Sequence, residues 1–281
     1  MENHAPQELN VRERLERGLL IPQLSEEVAR VAQVGYTTRG LRASAREDLR
    51  SLALAALVAP RSTLSYATAG VRTGGGHGNV VHVLDDEYLR STSDKNYEHP
   101  DAVITKNIGI PLFVSASDCG ALALIDQGNL ALGTAHSGWR GTCADVVGAT
   151  IASMHSSFGT DPESLFVYIG PYADGNRYRI RRDVYDQLHG ARNDVGEYLF
   201  TKDMLSRCIL QGDDDDDEHW YFDNGKLLVA RLITLGLREE NILVSGHRTM
   251  SEPNLFRSHR TEGMKSKGET NYLVSMLLDN R

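Results

Sequence analysis

Only three cysteines occur in 281 residues, at positions 119, 143 and 208. An odd number at irregular spacing does not make a disulfide framework, and it fits a reducing compartment. No run of 18 apolar residues is present, which excludes a transmembrane helix. The N-terminal Met1–Glu8 stretch is acidic and polar and lacks the basic start and apolar centre of a secretory signal. The expected location is therefore cytoplasmic. An excess of basic residues is also missing: 30 Lys and Arg stand against 38 Asp and Glu. That argues against nucleic acid as a partner. Asp213–Asp217 and Glu218 carry −6 of the net −8, so the rest of the chain is near neutral. The Asp run reads as a solvated loop, because consecutive carboxylates on one loop converge poorly on a cation.

Familiar catalytic signatures are missing as well. Gly74-Gly75-Gly76-His77-Gly78 fits neither a dinucleotide fingerprint nor a P-loop. There is no CxxC, no HExxH, no GxSxG and no His-x-His pair. The last absence disfavours a multicopper oxidase.

What is present is a chain long enough to bury its own core. Residues 8–32 are charged with intermittent apolar positions and predict one or two helices, so residues 1–33 are expected to form an N-terminal helical segment. Residues 34–281 are expected to form a single catalytic domain. Strands are expected at Val34–Thr38 and Val80–Leu84, then at 102–105, 111–114, 121–125 and 130–134, with a turn at Gln127-Gly128-Asn129. Further strands are expected at 165–169 and 242–244, with a last strand or helix at 272–277. Helices are expected after Ser44 as far as Pro60, after Gly138, and after Asp223 or Asn224 as far as Gly236. Strands cluster in the middle without regular βαβ alternation. The fold class is therefore α+β: a mixed, layered or sandwich-like sheet core surrounded by helices.

Three turns at strand ends carry ligand-type side chains. His77 precedes a strand, Asp118-Cys119 lies between two strands, and His136 lies between a strand and a helix. If these turns share one sheet end, two imidazoles and a thiolate leave a fourth position open, the composition of a catalytic zinc site. Their separations of 42 and 17 residues are too long to signal a metal by themselves. Cys119 also reads as a buried core cysteine, His136 as a helix cap and His77 as a plain loop residue. Cys143 and Cys208 read as bystanders. Arg39, Arg140 and Arg260 are candidates for an anion, with Arg140 at a helix start.

The run Asp118-Cys119, Ala135-His136-Ser137-Gly138-Trp139-Arg140-Gly141 and Ile169-Gly170-Pro171 resembles the laccase-domain (multicopper polyphenol oxidase-like) purine nucleoside phosphorylase family. So do Thr37-Thr38-Arg39, His77-Gly78 and Leu255–Arg260. The resemblance runs over residues 34–278. It implies one domain with a sheet core wrapped by helices, and zinc, rather than copper, on His77, Cys119 and His136. It implies a purine nucleoside and phosphate as the small-molecule partners. Some members deaminate adenosine, and some bacterial relatives are linked to peptidoglycan editing. Arg39 and Arg140 would hold phosphate, joined by Arg260, and Asp118 would orient a ligand or move a proton.

The chain departs from the pattern in places. Tyr172–Ile180 replaces a Cys-rich stretch, and Ala121 stands for a usual proline. Gly75 and Gly76 stand where a Gln precedes the His-Gly turn. Arg248-Thr249 replaces a Cys-Thr pair, and Arg260-Thr261 replaces Arg-Arg. Two alternatives therefore stand beside the enzyme reading. One is a cysteine hydrolase with Cys119 as nucleophile and His136 as base. The other is a catalytically degenerate binding protein.

Overall fold

The structure is a computed structural model, and it describes residues 12–41, 71–73, 78–85, 100–212, 218–263 and 270–279. The Ser44 helix, the Gly74–His77 turn and the Asp213–Asp217 run lie outside the described residues.

Two six-stranded sheets form the core. The first contains β1 (Glu13–Glu16), β2 (Leu19–Pro22), β3 (Ala32–Thr37), β4 (Val71–Thr73), β7 (Leu112–Ala116) and β15 (Asn271–Leu277). Its order is β1-β2-β3-β15-β7-β4. The second contains β5 (Val81–Leu84), β6 (Ala102–Thr105), β8 (Gly120–Asp126), β9 (Ala131–Ser137), β10 (Phe166–Ile169) and β14 (Ile242–Val244). Its order is β14-β10-β8-β9-β6-β5. Both sheets mix parallel and antiparallel pairs. The expected α+β layered fold is what the chain adopts.

Alternation along β8 explains the layering. Ala121, Ala123 and Ile125 face the first sheet, where they meet Val34, Tyr36, Val114 and Leu273. Leu122 and Leu124 face the opposite way, onto α3 (Val146–Phe158) and α6 (Asn224–Thr234). Every residue of β8 is therefore buried, and the strand reads as a continuous apolar run. Asp126 Oδ1 accepts the Asn129 amide at 2.9 Å and closes the turn into β9.

A third, three-stranded sheet, β11 (Arg179–Arg181), β13 (His219–Phe222) and β12 (Ile209–Gln211), packs with α2 (Trp139–Cys143), α4 (Arg182–Gly190) and α5 (Lys202–Cys208). Helix α6 starts where expected, with the Asp223 side chain accepting the Lys226 amide at 2.9 Å. The segment 272–277 is a strand. No helix among the described residues is long and apolar enough to cross a membrane.

The expectation of helix over residues 8–32 needs correction. Among the described residues of this stretch, helix occurs only at α1, Glu26–Val31, capped by Ser25. Residues 13–22 form the β1–β2 hairpin instead, and β2 pairs with β3. Burial of Leu19, Leu20 and Pro22 along the edge of the first sheet outweighs the charged composition that suggested helix.

Gly170 sits where β10 leaves the second sheet. A Cβ there would lie 2.8 Å from Cδ2 of Tyr36, a fully buried ring whose hydroxyl donates to Ala116 O at 3.1 Å. Gly170→Ala is expected to lower stability by about 1–3 kcal/mol through overpacking, read as a shift in denaturant midpoint at constant slope.

A candidate active site at one end of the second sheet

Strand direction decides where the motifs meet. β5 and β6 are parallel, β9 runs against β6, β8 against β9 and β10 against β8, while β14 is parallel to β10. The starts of β5, β6 and β8 and the ends of β9, β10 and β14 therefore lie at the same sheet end. That end gathers Gly78, Asp101, Asp118-Cys119, His136–Arg140, Gly170–Ala173 and Ser245–Thr249.

Cys119 and His136 come together there. His136 is opposite Ala121 in the β8–β9 ladder, and Cys119 directly precedes β8. A Cβ on Gly138 would lie 2.8 Å from Cys119 Sγ and 4.0 Å from His136 Cε1. Glycine at this position leaves room for the thiol beside the imidazole. His77 itself lies outside the described residues, but its neighbour Gly78 belongs to this end. The Gly78 amide donates to Asp101 Oδ2 at 3.0 Å, and the His136 amide donates to Asp101 O at 2.8 Å. Asp101 thus ties the β5 turn to β9. It is 1% exposed, and among the described residues its Oδ1 has no hydrogen-bond partner. A buried carboxylate oxygen left over beside two ligand-type side chains suits a metal centre, where outer carboxylates orient the ligands. Among the described residues alone, no group of three His, Cys, Asp or Glu forms a metal site.

Asp118 joins three loops. Its backbone takes φ 83°, a left-handed conformation that a non-glycine residue holds only when its surroundings enforce it. Thr249 Oγ1 donates to Oδ1 at 2.6 Å. Ser258 Oγ and the Arg260 amide donate to Oδ2 at 3.0 and 2.7 Å. The Ala173 amide donates to Asp118 O at 3.0 Å. Such a carboxylate is fully engaged as an acceptor, which makes it an orienting group. Thr249 and Ser258 escaped sequence reasoning as functional positions. So did Asp101, whose placement just before a strand was the one available signal.

The arginines divide into two kinds. Arg39 forms an ion pair with Glu262, and its Nε donates to Phe256 O at 3.1 Å. Its charge is compensated. Arg140 and Arg260 have no carboxylate partner among the described residues. Each guanidinium instead lies over an aromatic ring, Trp139 at 4.2 Å and Tyr178 at 4.5 Å. Cys143 and Cys208 pack into the core around the third sheet.

Burial pushes the Cys119 thiol up to about 12, the Asp118 charge adds to the rise, and Arg260 opposes it. Burial likewise lifts Cys143 to about 11, and burial with Asp223 lifts Cys208 to about 12. Below these values the neutral thiol is the stable form, and each pH unit below costs about tenfold in thiolate. Iodoacetamide is therefore expected to leave all three cysteines of the metal-free protein almost unmodified at pH 8. The rate should climb about tenfold per pH unit toward pH 11. Fast labelling of Cys119 at pH 7 would show a free thiolate and restore the cysteine-hydrolase reading.

The family model described as multi-copper polyphenol oxidoreductase laccase matches residues 47–276. A purine nucleoside phosphorylase of Xylella fastidiosa (strain 9a5c) is 31% identical over 177 residues, which is 63% of this chain and 62% of that protein. A Bacteroides thetaiotaomicron purine nucleoside phosphorylase is 33% identical over 128 residues, 44% of this chain and 47% of that one. These alignments span less than two thirds of either relative. The solved structure of the hypothetical protein YfiH from Bacillus licheniformis superposes with a TM-score of 0.71 at 17% identity, covering 95% of this chain and 99% of that one. YlmD from Geobacillus stearothermophilus gives 0.71 at 18% identity over 95% and 98%. Both share the fold. With the motif turns gathered at one sheet end and the family match running across most of its length, the chain belongs to the multi-copper polyphenol oxidoreductase laccase family.

Proposed function

We propose that this protein is a purine nucleoside phosphorylase whose reaction takes place at the Cys119–His136 end of the second sheet. One observation carries the reading: guanidiniums without a carboxylate partner among the described residues lie at the same sheet end as ligand-type side chains, in a chain whose relatives bear that name. Phosphorolysis joins a phosphate oxygen to C1′ of the ribose and breaks the bond from C1′ to the purine. The electron pair leaves with the base, which takes up a proton. The transition state is cationic at the sugar, so a phosphate held in place both attacks and stabilises it.

Arg140 and Arg260 are the residues for that phosphate. Their positions over aromatic rings hold the guanidiniums in place without neutralising them. Arg39, paired with Glu262, orders the chain around α7 (His259–Glu262). Asp118 fixes the Arg260 amide and orients Cys119 beside it.

Zinc is the metal that this donor set fits, with His77, Cys119 and His136 as its protein ligands. A bound zinc supplies Lewis acidity toward the base or an activated water. Burial raises the Cys119 thiol, which disfavours a free thiolate nucleophile in the metal-free protein, whereas a bound cation would itself favour the thiolate.

The test pairs metal analysis of the purified protein with a panel of purine nucleosides, each with and without phosphate. Phosphate-dependent release of base supports the reading. Ammonia release from adenosine without phosphate selects deamination. Ligand binding without turnover of any nucleoside selects the degenerate binding protein.

A further inference from the structure

Phosphorolysis of a neutral nucleoside gives two arginines an anion to hold and leaves a third guanidinium at this sheet end unassigned. Arg248 follows β14 and stands where the resembling family carries cysteine. It pairs with Tyr172 through a parallel bridge, and the next residue, Thr249, holds the Asp118 carboxylate. Its main chain therefore lies next to the loop that holds Asp118.

The guanidinium is held in place from several sides. Its centre lies 4.3 Å from the centroid of the Tyr172 ring. Nη1 donates to Ser245 O at 2.7 Å and to His247 O at 2.9 Å. The Arg248 amide donates to Glu252 Oε1 at 2.9 Å. The loop itself is anchored by Glu13, whose carboxylate accepts Ser245 Oγ and the Gly246 amide, both at 3.0 Å, and Tyr168 Oη at 2.7 Å.

The held group also keeps donors to spare. Arginine has five N–H donors, and among the described residues none takes those on Nε or Nη2. No carboxylate among the described residues pairs with it. Asp223, which lies near the Tyr172 hydroxyl, is engaged by the Lys226 amide at 2.9 Å and the Lys226 ammonium at 3.8 Å. The Glu252 carboxylate is engaged by His247 Nδ1 at 2.7 Å and by the Arg248 main chain. A preorganised fork with free donors is suited to bidentate recognition of a phosphate.

We propose that Arg248 recognises a phosphate carried by the substrate itself, so that the site prefers a purine nucleoside monophosphate to a neutral nucleoside. This rests on the phosphorolysis reading above. Inorganic phosphate still attacks C1′, the bond to the base still breaks, and the substrate's own phosphate passes through unchanged.

The experiment measures phosphate-dependent base release from inosine, adenosine and their 5′-monophosphates. It uses the full chain, Arg248→Ala and Arg248→Lys. The expected result is a kcat/KM ratio of monophosphate to nucleoside that exceeds about tenfold in the natural protein. Arg248→Ala should lose that ratio and Arg248→Lys should keep part of it. Equal turnover of both substrate types by the natural protein overturns the proposal. So does a parallel loss for both in Arg248→Ala, which marks a structural role. A raised KM for inorganic phosphate with the neutral nucleoside also overturns it, because Arg248 then serves the co-substrate. If neither substrate turns over, the phosphorolysis reading fails, and calorimetric binding of the monophosphate against the nucleoside decides the inference separately. Selective loss of monophosphate binding in Arg248→Ala supports it, and equal binding overturns it.

Discussion

Cys119→Ala is expected to abolish metal content and base release together. The substitution removes the thiol from the proposed donor set and leaves His136 and His77, too few protein ligands for a catalytic zinc site. A metal acting as a Lewis acid supplies several kcal/mol of transition-state stabilisation. Its loss corresponds to a fall in kcat/KM of roughly a thousandfold or more. The fold should survive, because alanine is smaller than the cysteine it replaces and Gly138 beside it already leaves space. Elemental analysis, turnover and a thermal melt on the same preparation check all three points. Full turnover in a metal-free Cys119→Ala protein would falsify both the ligand assignment and the role given to the metal.

The second large effect is on stability. Asp118→Ala is expected to cost about 3–5 kcal/mol, since each buried donor left without its acceptor costs about 1–3 kcal/mol. Three donors lose their acceptor at once: Thr249 Oγ1, Ser258 Oγ and the Arg260 amide. The two hydroxyls can rotate toward other partners, but the amide cannot. Alanine must also hold φ 83°, where aspartate is better tolerated. Asp118→Asn should lose less. Its amide can face Thr249, whose hydroxyl can turn to accept, while its oxygen keeps Ser258 and Arg260. Urea unfolding of the two variants against the natural protein measures the difference. An Asp118→Ala protein as stable as the natural one would mean that the loops hold themselves in place without the carboxylate. A KM for phosphate that rises in Asp118→Asn would tie the same hub to the position of Arg260.

The strands from 102 to 137 were legible because each is a short apolar run closed by turn chemistry, and burial on both faces leaves few other ways to place them. Cys119 and His136 were legible as candidates for a similar reason. Polar, reactive side chains at the ends of otherwise apolar strands have few structural uses. Residues 13–22 were misread because their pattern of charges and leucines suits a helix locally, and only the sheet edge they join makes them strands. The neutralisation of Arg39 was not legible either. Its partner Glu262 is 223 residues away, and no local spacing encodes such a pair. The same holds for Thr249 and Ser258, which reach Asp118 from 131 and 140 residues along the chain.

By itself the sequence determined the layered α+β class, the family and the chemical types at the site, because composition, apolar periodicity and motif strings are local properties. The tertiary structure decided which of the residues act together. It sent β7 to one sheet and β8 to the other, so that Asp118 turns between two layers. It left Arg140, Arg248 and Arg260 without carboxylate partners among the described residues, while Glu262 takes the charge of Arg39. Whether a charge is spent inside the protein or kept for a ligand depends on strand order and loop packing. Those bring distant residues to within 3 Å, and no stretch of sequence contains that distance.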